Sequence, residues 1–129
     1  MSVVDLPPRQ LIELALEAIG DRAPDRLRPL LAPEVRVVTG RTTHVGIEAV
    51  STWASKGYEN LDRRFALDAL EPAGDGLLGS GRVEYVWRET GEVGDSTPIF
   101  FALRLSETGR LSGLALHDDR ESAVADLGV

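Results

Sequence analysis

Four stretches that alternate with period two, residues 64–70, 77–89, 97–105 and 111–118, follow one another through the second half of the chain. Successive side chains of an extended strand point to opposite faces, so this alternation predicts four strands, each with one face turned to a core. Their separators, PAGDG, TGEVGD and SETG, are short and carry turn chemistry. Strands joined so tightly pair antiparallel, which predicts a meander. Gly79 and Gly81 inside the longest run would let that strand bend.

The first half reads differently. Leu11, Ile12, Ala15, Leu16 and Ile19 recur at helical spacing behind Pro7 and Pro8 and before Gly20, which predicts an amphipathic helix with one buried stripe. A second, short helix is expected from Pro24 through Leu27, Leu30 and Leu31, shortened or kinked by Pro29 and ended by Pro33. Residues 34–39 (EVRVVT) are β-branched and strand-like. After a glycine-containing loop, Ile47, Val50, Trp53 and Ala54 describe a third helix that stops at Gly57. A last helix is expected over residues 120–127. Helices followed by consecutive strands suit one sheet with helices segregated to one side, an α+β arrangement. A chain of 129 residues fits a single domain over residues 1–129.

Charge and composition narrow the partners. With 21 acidic and 14 basic residues the formal charge is -7, which disfavours nucleic acid and anionic membrane surfaces. The absence of cysteine excludes disulfides, thiolate catalysis and cysteine-bound metals. The N-terminal MSVVDLPPRQ has no basic n-region, and no stretch approaches the apolar length of a membrane span, so a cytoplasmic protein is expected. Lys56 is the only lysine, a bias associated with GC-rich bacterial genomes.

Five stretches, RQLIELALEAIGD from Arg9, GIEAVSTWASKG from Gly46, RVEYVW from Arg82, RLSETGRL from Arg104 and HDDRESAVADLG from His117, resemble the NTF2-like superfamily in their order and spacing. The resemblance covers nearly the whole chain and points to the ketosteroid isomerase and SnoaL-like polyketide cyclase branches. It implies an NTF2-like (cystatin-like) α+β cone, with N-terminal helices packed on a curved antiparallel sheet around an apolar pocket. The steroid isomerase base, tyrosine and protonated aspartate match Thr39, Leu11 and Phe101, none of which can take those roles. Ketosteroid isomerase chemistry is therefore disfavoured. The SnoaL-like pattern, an acid near the end of the last strand before a short helix ending in Leu-Gly, matches Asp119, eight residues before Leu127. The steroid isomerase match instead selects Asp118. One of this adjacent pair should point inward and the other outward.

An aspartate in an apolar pocket has its charged form disfavoured, which raises its pKa toward that of a useful proton shuttle. That is the catalytic reading of Asp118 or Asp119; for Asp119, capping of the last helix is the alternative. The resemblance and the alternation place Val83, Tyr85 and Trp87 on the concave face, either as pocket lining or as plain core. Trp53 and Tyr58 are expected near the pocket mouth, with Thr39 and Phe101 lining it and His44 in the loop before the third helix. His117-Asp118-Asp119 contains fragments of metal-binding patterns that need more histidines than His44 supplies, so no metal is expected. GLLGSG from Gly76 fits neither a phosphate-binding loop nor a dinucleotide fingerprint, and no cofactor is expected. Val86, Phe100, Ala102 and Ala115, edged by Glu84, Arg88 and Arg104, should form an outer apolar patch suited to a two-fold homodimer. The expected activity is binding of a small apolar molecule, with cofactor-free isomerase, cyclase or hydrolase chemistry; the alternative is a non-catalytic ligand-binding or dimerisation module.

Overall fold

The computed structural model describes residues 6–56 and 61–129. Helix α1 (Pro8–Gly20) starts with a proline in its first turn, where the missing N–H costs nothing, and buries the stripe Leu11, Ile12, Ala15, Leu16 and Ile19. Its end lies tight against the sheet. A Cβ on Gly20 would stand 2.7 Å from the Arg63 carbonyl oxygen, so only glycine permits this approach.

Pro29 acts as expected on the second helix. α2 (Pro24–Leu27) is one turn long and passes into a 3-10 turn (Arg28–Leu30) that accommodates the proline in its own first turn. Strand β1 (Leu31–Thr39) begins at once. Gly40, with φ of 59°, turns the chain into β2 (Thr42–Val45), a short strand where the sequence predicts a loop. α3 (Ile47–Ser55) follows. Its expected stop at Gly57 lies outside the described residues.

The four alternating runs become β3 (Leu61–Ala73), β4 (Gly76–Trp87), β5 (Val93–Leu105) and β6 (Leu111–His117), an antiparallel meander. The sheet order is β2-β1-β6-β5-β4-β3. β1 pairs parallel with β6, so the sheet is mixed rather than wholly antiparallel. The long connection through α3 and the meander returns β6 beside β1 in the same direction, a pairing with no local signature. β3 carries a bulge between Leu67 and Ala69, beside Gly81 of β4.

The two faces of the sheet have different cover. The inner face, with Val37, Val83, Ile99, Phe101, Leu103 and Leu114, packs with α1, α2 and α3 into the main core. On the outer face, α4 (Arg120–Asp126) buries Ala123, and Leu127 just beyond it is buried too, both packed with Leu78, Ala102 and Ala115. The helices are therefore not confined to one side. This corrects the outer-patch expectation as well: Ala102 is 0% exposed, Val86 2% and Ala115 4%, and Phe100 is partly buried. α4 covers the Ala102 and Ala115 part of this surface with its own apolar residues, so the exposed apolar patch expected there is smaller than the sequence suggests.

Candidate functional site

Burial of the inner face fades along β4: Val83 is buried, Tyr85 partly buried and Trp87 46% exposed. The register ties this gradient to the neighbouring strands. Phe65, Val83 and Thr97 form one cross-strand row, and Arg63, Tyr85 and Asp95 form the next row outward. Directly opposed residues share a face, so Arg63 and Tyr85 project beside Phe65 and Val83 at the rim of the core.

Two further elements reach this rim. Trp53, in the last turn of α3, packs against the core. His44 of β2 stacks on it, with ring centroids 5.7 Å apart and planes inclined by 29°. The Arg63 guanidinium carbon lies 5.5 Å from the Trp53 ring centroid and 5.9 Å from that of Phe65. Phe65 in turn meets the fully buried Phe101 edge to face, at 6.3 Å and 68°. His44, Trp53, Arg63, Phe65 and Tyr85 are all partly buried. Apolar ring surface and polar tips thus converge at one edge of the inner face, the mixture that small-molecule sites use to hold and orient a ligand.

The residues singled out from the sequence divide around this cluster. Trp53, Tyr85 and His44 belong to it, with Val83 buried behind them. Phe101 stands deeper still, its ring wholly covered by protein. Thr39 is partly buried in the row of Leu116 and Phe101. Trp87 projects outside, against the backbone of Gly94, where a Cβ would stand 2.7 Å from the indole nitrogen. Tyr58 lies outside the described residues. Arg63 lies one residue before the alternating run 64–70, and Phe65 within it carries no mark that sets it apart from core; the same phase puts Arg63 in line with Phe65 and Leu67.

The adjacent aspartates sit differently from each other. Asp118 is exposed just past the end of β6, in phase with the inner-face residues Leu114 and Leu116. Asp119 is also exposed, and its carboxylate accepts hydrogen bonds from the Ser122 backbone N–H at 2.7 Å and the Ser122 hydroxyl at 3.1 Å, capping α4. Those bonds favour the charged form and hold the Asp119 carboxyl below its ordinary value of 3.8. This is the reverse of the rise a general base near neutral pH would need. A depressed folded-state pKa gives stability that is present above the unfolded value and lost as pH falls through the folded one. Asp119→Asn keeps a capping oxygen but removes the titration. The variant should match the parent in urea unfolding at about pH 7 and lose less stability than the parent at about pH 3; equal acid losses in the two proteins would contradict the assignment.

A second polar cluster, also missed from the sequence, fixes α4 to the outer face. Arg104 donates to Asp75 Oδ1 at 3.0 Å, to Asp126 Oδ1 at 3.2 Å and to the Asp126 carbonyl at 2.7 Å, while His117 Nε2 lies 2.8 Å from Asp126 Oδ2. His117 is thus engaged with α4. A groove of about 430 Å³ beside this cluster is lined by Arg36, Arg104 and Asp126, among others. A larger one of about 550 Å³ runs between α1 and β3, lined by Glu13, Leu16, Glu17 and Phe65. Neither groove is lined by Asp118, Asp119, Trp53 or Tyr85.

No protein-family model matches the chain, and no curated protein matches it in sequence. Solved structures do match. The chain is similar to an NTF2-like protein of unknown function from Burkholderia pseudomallei, with a TM-score of 0.69 and 18% identity over 95% of this chain and 98% of that one. It is similar to TerC, co-crystallised with polyporic acid, with a TM-score of 0.70 and 16% identity over 95% of this chain and 98% of that one. A third is a protein of ketosteroid isomerase-like fold from Catenulispora acidiphila in complex with trimethylamine, with a TM-score of 0.69 and 16% identity over 93% of each chain. At such identities the shared property is the fold. The chain has the NTF2-like α+β fold. Among the described residues, no helix is long and apolar enough to cross a membrane.

Proposed function

We propose that this chain binds a small, largely apolar molecule at the rim cluster of His44, Trp53, Arg63, Phe65 and Tyr85. The observation that carries this reading is the gathering of four partly buried aromatic or imidazole rings and a guanidinium at one edge of the main core. Ring surface left partly in water gains by covering, and the polar tips around it can orient what covers it. The two neighbours seen with small organic molecules support the reading at the level of fold.

The test uses a neutral fluorescent probe, N-phenyl-1-naphthylamine. Saturable enhancement of its emission is expected with the parent, and binding at least about fivefold weaker with Trp53→Leu, which removes the central ring. Enhancement that is absent, or unchanged in that variant, would overturn the assignment.

The catalytic form of this reading, cofactor-free isomerase, cyclase or hydrolase chemistry, requires Asp118 or Asp119 in an apolar pocket; both are exposed and line neither groove, so binding without catalysis is the reading supported.

A further inference from the structure

Seven of the thirteen arginines, Arg9, Arg22, Arg26, Arg28, Arg88, Arg104 and Arg120, lie within ion-pair distance of an Asp or Glu, and five besides Arg63 do not, among the described residues. The Arg63 guanidinium is held over the rings of Trp53 and Phe65 instead. Such contacts use its charge but satisfy none of its N–H donors. The acid in its own cross-strand row, Asp95, is two strands away, roughly 10 Å at ordinary strand spacing.

The Arg63 N–H groups are not sealed from water, so they stay open to an incoming acceptor. Bracketing by two rings also restricts its side chain, so little further ordering is needed when a partner arrives. A planar fork of donors matches a carboxylate in bidentate fashion. Arg64, next in sequence, belongs to the opposite face and adds nothing to this corner.

We infer that the rim site is an anion receptor, with Arg63 the residue that selects a small organic acid, its carboxylate or enolate on the guanidinium and its flat apolar body against the partly buried rings of Trp53 and Phe65. This rests on the rim cluster being the binding site, and it adds the class of ligand. Arg63 is the specificity-determining contact, and the rings set the shape of the body accepted.

Two isosteric probes separate the ideas, 4-nitrobenzoate and its neutral amide, 4-nitrobenzamide. In a Trp87→Phe background Trp53 is the sole tryptophan, and its quenching reports occupancy of the site. The acid should quench saturably and bind at least about tenfold more tightly than the amide. Arg63→Gln should abolish that preference by weakening the acid while leaving the amide unchanged, and Arg63→Lys should restore it only in part. Equal binding of acid and amide, or a preference that survives Arg63→Gln, overturns the anion assignment and leaves the rim site standing. Absence of saturable quenching by either probe overturns both.

Discussion

Gly81→Ala should be among the most damaging single substitutions in this chain. A Cβ at Gly81 would stand 1.8 Å from the Ala66 carbonyl oxygen and 2.9 Å from its carbon, so β3 and the added methyl cannot both stay where they are. The atoms in the way are backbone atoms of a paired strand, next to the bulge between Leu67 and Ala69, and they have no rotamer to change. A loss of about 3 kcal/mol or more is expected, roughly a 10 °C fall in melting temperature. Gly79→Ala is the matched control. Its Cβ would meet side-chain atoms of Leu67, Phe101 and Leu103 at 3.0, 3.2 and 3.3 Å, tight contacts but none with backbone, and a few tenths of an ångström of side-chain movement would restore ordinary spacing. The two glycines look alike in sequence, both candidates for bending a long strand. Thermal unfolding should separate them widely; equal losses would show that backbone contact is not what Gly81 avoids.

Phe101→Ala should cost about 3–5 kcal/mol, the usual range for emptying a fully enclosed aromatic position. Phe101 is 0% exposed, packs edge to face on Phe65 and lies beneath the rim cluster. Phe100→Ala, one residue earlier and partly buried on the other face, should cost clearly less. Urea unfolding of the pair tests the placement, since a one-residue slip of β5 would reverse their order. The substitution also bears on the site. Phe65 touches both Phe101 and the Arg63 guanidinium, so a cavity behind it should loosen the bracket that holds Arg63 and weaken probe binding along with stability.

Much of the fold was legible because its signals are local. The spacing of Leu11, Ile12, Ala15, Leu16 and Ile19 places one stripe on α1, and the alternation along β3 to β6 assigns inner and outer faces. Pro29 shortened α2 for the reason its ring supplies. The site was legible in outline only. His44, Trp53 and Tyr85 were named individually, yet nothing in a linear reading says that β2 brings an imidazole onto the Trp53 ring. Arg63 falls one residue before the alternating run, and only the strand register shows that it, and not Arg64, faces the rings. Asp119 was recognised as a possible cap from its type and position, and its bonds to Ser122 make it one.

Residue chemistry repeated over a few positions was enough to prescribe helices, strands, turns and the face each side chain takes, since those depend on the backbone period and near neighbours. The parallel pairing of β1 with β6, the docking of α4 over Ala102 and Ala115, and the bracketing of Arg63 by Trp53 and Phe65 came only with the packed structure. Each joins residues far apart in the chain. Such contacts arise from how separate apolar faces find cover at the lowest total free energy, a property of the whole chain that no short stretch encodes.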